Sequence, residues 1–283
     1  MRYKKILIGG AIGDAIGAFY EGSSIPIWYE ENDNWRLTDD TQLTLATCEA
    51  IIQEGSPTPQ AIAQSFKNWH IKRKINRMGA STLKALNDLV MGIGWEYSGR
   101  QSEYAAGNGA AMRIAPVTDY IDINEWDDRR LVHDICSITH KNDEAYCGAL
   151  AIISAIQEAT TNSKYFSIRM IASQLPDSTT KDALNTIVGI NENIGQVAHK
   201  TGNSGYVAES VPLAIYAAKK GLDIGYKRAI IEIVCCGGDT DTIASMAGQI
   251  MGAMDLEIPE EWITKLPVAQ YITELGTALE KHG

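Results

Sequence analysis

Residues 237–253 read GGDTDTIASMAGQIMGA, an acidic turn followed by a run of small and apolar residues. In this turn, Asp239 and Asp241 alternate with Thr240 and Thr242. A similar motif lies far upstream, at the start of a second helix-like pattern; it reads Thr38-Asp39-Asp40-Thr41. Each stretch therefore places two carboxylates and two hydroxyls in the turn before a helix.

Helix capping explains part of this pattern, because Asp and Thr are preferred N-caps and an acid is favourable at the positive end of the helix dipole. Capping accounts for one Asp in each helix. It does not account for two, because adjacent carboxylates repel each other unless a cation lies between them. Oxygen ligands of this kind suit hard cations such as Mg²⁺, Mn²⁺ or Ca²⁺. The paired aspartates therefore predict a metal site.

Small residues recur every fourth position in two segments. In a helix this spacing produces one thin face, which allows two backbones to approach closely. Glycine costs a helix interior about 1 kcal/mol relative to alanine, so the repetition indicates a packing role. We expect the two helices to cross at the centre and to hold the acidic turns together. The positions are Gly9, Gly13 and Gly17, and then Ala244, Gly248 and Gly252.

Composition limits the classes of function. Of the 283 residues, 45% are hydrophobic, which is enough for one large core. The net charge of −10 argues against a general nucleic-acid-binding protein, which would carry a basic surface. The five cysteines show no Cys-x-x-Cys spacing, so we expect no zinc site and reduced thiols in the cytoplasm.

The N-terminus resembles the charged and apolar regions of a signal peptide, but Asp14 interrupts the apolar run. We therefore interpret it as the first core helix. No stretch approaches the ~20 apolar residues of a membrane span, and we expect a cytoplasmic monomer without membrane contact.

Helical periodicity dominates the rest of the chain, and strands with hairpin signals are not expected. Nothing in the composition marks a domain boundary, so we predict an all-α fold with a single domain over residues 1–283. Residues 92–111 are glycine-rich and irregular. Helices are predicted over residues 4–20, 40–54, 80–91, 127–137, 145–160, 165–175, 181–200, 206–220, 224–235 and 243–253.

Seven stretches in order resemble the ADP-ribosylglycohydrolase family, which includes dinitrogenase-reductase-activating glycohydrolase and the ADP-ribosyl-acceptor hydrolases. The resemblance extends from about residue 5 to residue 253. The stretches are GGAIGDAIG at 9–17, FYE at 19–21, TDDT at 38–41, GNGAAMR at 107–113, Thr139-His140, GYV at 205–207 and GDTDT at 238–242.

This resemblance implies an orthogonal helical bundle with a central binuclear site for Mg²⁺ or Mn²⁺. It also places Glu21 at the metal site, where the residues alone would indicate only a surface charge. For Asp14, a role in supporting the metal ligands or the local structure is a better interpretation than direct metal ligation. The metal ligands that the resemblance implies are Thr38, Asp39, Asp40, Asp239, Asp241 and Thr242.

The resemblance further implies that Gly107, Asn108 and Gly109 hold the diphosphate and distal ribose, with Met112 beside them. Three other residues keep two interpretations each. His140 contacts a phosphate or ribose oxygen or caps a helix, and Tyr206 stacks on the adenine or packs in the core. Arg113 supplies charge to a phosphate or forms a structural ion pair.

Cleavage of a glycosidic bond develops positive charge at the anomeric carbon. Metals can orient the ribose hydroxyls and activate water. We therefore expect water to attack C1 of the distal ribose, with Glu21, Asp40 or Asp239 as the base. The substrate is expected to be an ADP-ribosylated protein or a small ADP-ribose conjugate, with ADP-ribosyl-arginine first.

Several alternatives stay open from the sequence. One is a catalytically inactive sensor that binds ADP-ribose or a nucleotide, and another is a two-metal phosphodiesterase. A third is a hydrolase of O-linked ADP-ribose on serine or acetate, and nucleic-acid ends are a further conceivable acceptor. A purely structural role, as in crystallins related to the family, would not require the acidic residues.

The loops at 22–37 and 92–106 are expected to select the acceptor. The aromatic residues in these loops either shape the mouth of the cleft or pack the loops; they are Trp28, Tyr29, Trp35 and Trp95.

Overall fold

The computed structural model describes residues 2–23 and 28–281. Helices account for nearly all of the regular structure. The α-helices are α1 Arg2–Gly17, α2 Asp39–Glu54, α3 Pro59–Ile71, α4 Ala80–Val90, α5 Trp126–Ser137, α6 Asp143–Asn162, α7 Ile168–Gln174, α8 Thr179–Thr186, α9 Ile194–Thr201, α10 Val207–Ile224, α11 Tyr226–Val234, α12 Thr240–Ala253, α13 Glu260–Lys265 and α14 Ala269–Leu279. The prediction of an all-α fold is confirmed.

Short elements complete the chain. Turns of 3₁₀ helix lie at Glu103–Ala105, Ala115–Tyr120 and Ser163–Tyr165. Two-residue strands, β1 (Arg100–Gln101) and β2 (His140–Lys141), pair in parallel, with Arg100 opposite His140. Strand β1 lies inside the segment 92–111 predicted to be irregular, whereas β2 lies between two predicted helices, and the few hydrogen bonds of the pair fix the position of β2.

Helices α1 and α12 form the centre of the molecule. Every residue from Ile6 to Gly17 is buried, and so is every residue of α12. A helix that is apolar and buried on all sides belongs in the interior of a protein. Helices α2, α6, α10, α11 and α14 pack directly against this pair.

The glycine faces of α1 and α12 lie directly against each other. A Cβ atom on Gly13 would lie 2.1 Å from the carbonyl oxygen of Ala244. In the opposite direction, a Cβ on Gly248 would lie 2.2 Å from the carbonyl oxygen of Gly9. Only glycine permits such an approach of two backbones. The prediction that these two faces meet is confirmed.

The surrounding helices enclose the central pair. Helix α14 packs against α1 and α2, while α10 packs against α12, α11, α8 and α6. One continuous cluster of buried apolar side chains extends from α1 to α14. Among the described residues, no helix has both the length and the apolar character needed to cross a membrane.

The predicted helix at 181–200 is two helices in the structure. Helix α8 ends at Thr186, and Gly189 then takes a left-handed φ of 79°. Asn193 starts α9 with a reciprocal capping box to Gln196. Local turn and capping chemistry therefore overrides the apolar periodicity on which the prediction rests.

We expect Gly13→Ala to lower the free energy of unfolding by about 3 kcal/mol or more, because its Cβ would meet backbone atoms that no rotamer change can move. The measurement is chemical denaturation with helical circular dichroism. As a matched control, Gly195→Ala in α9 meets only the Asn193 side chain at 3.5 Å. It should raise stability by up to about 1 kcal/mol. Equal effects of the two substitutions would contradict the packing argument.

Candidate metal centre and ligand cleft

The two acidic turns meet because the end of α1 contacts the starts of both α2 and α12. A Cβ on Gly17 would lie 2.4 Å from the Cα of Asp241, and the Thr240 hydroxyl donates a 2.8 Å hydrogen bond to the Gly17 carbonyl. One turn earlier on α1, Asp14 contacts the start of α2. The last turns of α1 therefore join both acidic motifs.

Asp14 fixes the N-terminus of α2. Its carboxylate accepts hydrogen bonds from the backbone N–H and hydroxyl of Thr38, at 3.0 and 2.8 Å, and from those of Thr41, at 3.2 and 2.5 Å. These bonds satisfy N–H groups that a helix start leaves without partners. Burial raises the pKa of Asp14 to about 6, although the same hydrogen bonds favour its charged form. The structural role expected for Asp14 agrees with these contacts.

Asp14 also belongs to a cluster of three buried carboxyl groups. One oxygen each from Asp14, Asp40 and Asp241 lies within 4.8 Å of the others. Asp40 Oδ1 is buried without a hydrogen-bond partner. No Lys or Arg of the described chain forms an ion pair with any of the three.

The protonation of this cluster reflects burial first and mutual repulsion second. Both causes raise the pKa of Asp40 well above its usual range, and they raise the pKa of Asp241 to about 9. A divalent cation would remove the repulsion and give Asp40 Oδ1 a partner. The oxygen-only ligand set therefore fits Mg²⁺ or Mn²⁺.

The other predicted ligands surround this cluster. Asp39 and Asp239 line the same cleft, and burial raises the pKa of Asp39. The hydroxyl of Thr242 lies 3.3 Å from Asp40 Oδ2. The hydroxyl of Thr38 lies 3.1 Å from the same oxygen, although Thr38 is fully buried and does not line the cleft. Their assignment as metal ligands stays a prediction.

Two glycines form the turn that presents Asp239. Gly237 and Gly238 have φ angles of 69° and 77°, a left-handed conformation that side chains disfavour. A Cβ on Gly238 would lie 2.3 Å from the Asn203 carbonyl oxygen, which accepts a 2.9 Å hydrogen bond from the Asp239 N–H. The position of Asp239 therefore depends on this glycine turn.

An open cleft of about 500 Å³ lies at this junction. It is lined by residues from both acidic turns, from the glycine loop at 107–109 and from the start of α4. The lining residues are Glu21, Gly22, Asp39, Asp40, Arg77, Gly79, Ala80, Ser81, Thr82, Gly107, Asn108, Gly109, Met112, His140, Ser204, Gly205, Gly238, Asp239, Asp241 and Thr242.

The glycine loop contacts both the acidic turn and a histidine. Asn108 Nδ2 donates a 2.6 Å hydrogen bond to Asp239 Oδ2. A Cβ on Gly109 would lie 2.7 Å from His140 Cε1, and one on Gly107 would lie 3.3 Å from His140 Nε2. A side chain at Gly109 would collide with the histidine ring, and one at Gly107 would contact it tightly. Asn108 therefore positions an acid in addition to lining the cleft.

Two further predicted substrate contacts differ in position. Met112 lines the cleft and is 3% exposed. Tyr206 is 37% exposed, and its side chain is not among those lining the cleft. Its backbone pairs with Gly107 in an isolated antiparallel bridge, so Tyr206 lies beside the loop. Both roles stay predictions.

Glu21 lies at the cleft with a side chain that is 38% exposed. Its Oε2 is 3.3 Å from Arg77 Nη2, and Arg77 also donates a 2.9 Å hydrogen bond to the Ala18 carbonyl. Gly22 N–H donates to the Gly238 carbonyl at 2.8 Å, which ties this segment to the second acidic turn. The fold therefore brings Glu21 to the acidic cluster.

The sequence predicts the helix at 80–91, but it does not indicate that Arg77 and the start of α4 line the cleft. Arg77 has a left-handed φ of 60°, which no motif announces. Gly79 precedes α4 and offers no side-chain cap to its first N–H groups. A glycine directly before the helical run Ala80-Ser81-Thr82 was the available signal, because such a helix start can bind an anion.

Arg113 has neither of the two roles considered from the sequence. It is fully buried, does not line the cleft and forms no ion pair with an acid of the described chain. Its guanidinium lies 4.8 Å from the Phe66 ring centroid and donates to Thr139 Oγ1 at 2.8 Å. Hydrogen bonding and a cation–π contact therefore replace the expected phosphate or carboxylate partner.

Three of the four aromatic residues considered for the mouth of the cleft pack inward. The rings of Tyr29 and Trp35 lie 6.5 and 6.2 Å from that of Trp262, and Trp95 packs against the core. Trp28 is 89% exposed. Part of the loop at 22–37, residues 24–27, lies outside the described residues.

We expect the thermal midpoint of metal-free protein to rise as the pH falls from about 9 to about 5. The folded pKa values of Asp241 (about 9) and Asp14 (about 6) lie above the unfolded value of 3.8, so the folded state binds more protons in this window. Stability is then greatest at low pH and is lost as these acids ionise. Saturating Mg²⁺ should raise the midpoint most at high pH and so flatten the profile.

Scanning calorimetry with EDTA or MgCl₂ measures both effects. Asp241→Asn should reduce the pH dependence and the Mg²⁺ response, whereas the exposed Asp182→Asn should change neither. A metal-free midpoint that is constant from pH 5 to 9 would contradict the coupling.

The chain is similar over most of its length to several known proteins. The protein is similar to ADP-ribosylarginine hydrolase Tri1 of Pseudomonas putida (strain GB-1), at 27% identity over 98% of this chain and 77% of the relative. It is similar to human ADP-ribosylhydrolase ARH3, at 26% identity over 92% of this chain and 88% of the relative. An uncharacterised protein of Archaeoglobus fulgidus is 29% identical over 98% of this chain and 95% of the relative.

A solved structure described as an ADP-ribosylglycohydrolase-related protein complex has the same fold, with a TM-score of 0.72 and 23% identity. The alignment covers 99% of this chain and 97% of the solved chain. The ADP-ribosylglycohydrolase family model matches residues 1–283. The chain therefore belongs to the ADP-ribosylglycohydrolase family.

Proposed function

We propose that this protein is a metal-dependent hydrolase that cleaves the glycosidic bond between ADP-ribose and a modified acceptor, with ADP-ribosyl-arginine on protein as the first candidate. One observation carries the proposal: the buried cluster of Asp14, Asp40 and Asp241 opens onto a cleft that also contains a glycine loop. Family membership over the whole chain supports the same reaction.

In this proposal, the predicted ligand residues would hold two Mg²⁺ or Mn²⁺ ions. They fit this task because they supply oxygen ligands alone and because Asp40 Oδ1 has no partner within the described protein. Bound cations would supply positive charge that orients the ribose hydroxyls and makes nearby water more acidic. The residues are Thr38, Asp39, Asp40, Asp239, Asp241 and Thr242.

An acidic protein needs neutral or positive groups to bind a diphosphate. The start of α4 lines the cleft, and no side chain caps its first backbone N–H groups. The helix dipole adds positive charge at the same place. Gly107 and Gly109 let a ligand approach the backbone of the glycine loop beside His140. We assign the diphosphate to this side of the cleft and the distal ribose to the acidic side.

The base that accepts the proton from water is assigned first to Glu21. Its side chain is the most exposed of the three candidate carboxylates, since Asp40 is 2% exposed and within the buried cluster. Asp239 already accepts a hydrogen bond from Asn108. Glu21 would leave the 3.3 Å contact with Arg77 to face the substrate.

The acceptor is assigned from charge and from relatives. A guanidinium acceptor complements the acidic side of the cleft, and one relative is named an ADP-ribosylarginine hydrolase. Other relatives are named ADP-ribosylhydrolase ARH3, a name that specifies no acceptor. ADP-ribosyl-serine and O-acetyl-ADP-ribose therefore belong in the same experiment.

We expect the wild-type protein to release ADP-ribose from ADP-ribosyl-arginine with Mg²⁺ or Mn²⁺ and to lose this activity in EDTA. Asp241→Asn should lower kcat/KM at least ~100-fold, because it removes a carboxylate from the cluster. Asp223→Asn, which replaces an exposed acid absent from the cleft, is the matched control. The product is identified by chromatography.

Other results of this assay would indicate different functions. Binding of ADP-ribose without turnover of any conjugate would identify a sensor, and release of AMP would identify a phosphodiesterase. Faster release from the serine or acetyl conjugate would move the acceptor to the O-linked class. Full activity of Asp241→Asn in EDTA would falsify the metal-dependent mechanism.

A further inference from the structure

A buried chain of polar groups connects Arg113 to the cleft. Arg113 Nη2 lies 2.8 Å from Thr139 Oγ1, and Thr139 Oγ1 lies 2.8 Å from His140 Nδ1. Arg113 and Thr139 are fully buried, and His140 is 5% exposed. These contacts are short enough to be hydrogen bonds in a site that excludes water.

The direction of each bond in this chain follows from the chemistry of its members. A guanidinium can only donate, so Thr139 Oγ1 is the acceptor from Arg113. The hydroxyl hydrogen of Thr139 then has His140 Nδ1 as its available acceptor among the described residues. If Nδ1 carried a hydrogen instead, the Thr139 hydroxyl would be buried with no acceptor, which is unfavourable.

His140 stays neutral in this surrounding. Burial and the charge of Arg113 lower the pKa of its imidazole to about 3. A neutral imidazole carries one ring hydrogen, and Nδ1 is already an acceptor. The hydrogen therefore belongs on Nε2.

His140 Nε2 faces the glycine loop. A Cβ on Gly107 or on Gly109 would lie 3.3 Å from this nitrogen. Nε2 has no hydrogen-bond partner within the described residues, and His140 lines the cleft. The pairing of β1 with β2 fixes the backbone here, with Arg100 N–H donating to the Thr139 carbonyl at 3.0 Å.

We propose that Arg113 and Thr139 are positioning residues that hold His140 in its Nε2–H tautomer, as a neutral donor to an acceptor oxygen of the ligand in the glycine loop. A phosphate oxygen, which can only accept, is the class of atom that this donor selects. The identity of the ligand as ADP-ribose rests on the proposed function. The tautomer itself does not.

Because Arg113 can only donate hydrogen bonds, every bond in this chain points from Arg113 towards His140. Arg113 Nη2 also contacts the Ile135 carbonyl at 3.3 Å, and Phe66 lies against the guanidinium. Among the described residues, Arg113 Nε and Nη1 have no hydrogen-bond partner. A fully buried cation with so few partners is costly, so a role beyond packing accounts for its presence.

The tautomer is measured on wild-type protein with ¹⁵N-labelled histidine, by long-range ¹H–¹⁵N correlation spectra from pH 6 to 8. The His140 signals are those missing from His140→Gln. We expect protonated Nε2 and unprotonated Nδ1 throughout, without titration. An Nδ1–H tautomer or an imidazolium in this range would overturn the inference, whether or not the protein hydrolyses any substrate.

Titration with ADP-ribose tests the donor. We expect the Nε2–H signal to shift on binding and Thr139→Val to weaken the affinity about tenfold, the effect of one hydrogen bond. Thr139→Ser keeps the hydroxyl and should restore the affinity, and His140→Gln, which keeps a donor, should bind better than His140→Leu. In hydrolysis, Thr139→Val should raise KM more than it lowers kcat.

The two proposals fail in different ways. If wild type binds no ADP-ribose while Nε2–H is observed, the proposed function is wrong and the tautomer is confirmed. Equal affinities of folded Thr139→Val and wild type, with folding checked by thermal melting, would exclude Thr139 as a positioning residue.

Discussion

The close approach of α1 to α12 is the constraint on which the rest of the structure depends. Gly13 and Gly248 bring the two backbones together without intervening side chains. The same two helices carry Asp14 and Asp241. Their packing therefore forms the centre of the core and also sets the distance between these two carboxylates. A shift of this helix pair would alter the site before it altered the fold.

This arrangement places like charges together in a buried site. Asp14, Asp40 and Asp241 have raised pKa values because burial and repulsion both disfavour their charged forms. The fold tolerates this because α1 and α12 supply extensive apolar packing around the junction. Such local instability is typical of functional sites, where stability is exchanged for ligand binding.

Two sides of the cleft differ in their electrostatics. The acidic side attracts cations, whereas the other side combines the glycine loop with the start of α4, whose first N–H groups have no side-chain cap. His140 belongs to the second side and stays neutral, because burial and, to a smaller extent, the charge of Arg113 lower the pKa of its imidazole. In the proposed function, the first side holds the reacting ribose and the second holds the phosphates.

The sequence by itself determined the features that depend on neighbouring residues: the acidic turns, the glycine spacing and the helical class. The predicted helix at 181–200 was wrong because the turn at Gly189 interrupts the helical periodicity. The position of Arg77 in the cleft was missed because this residue belongs to no motif. Only the tertiary structure decided that Asp14 joins Asp40 and Asp241, and that Thr139 links Arg113 to His140. The physical reason is that these contacts connect distant parts of the chain, and helix packing, rather than local propensity, sets where their side chains meet.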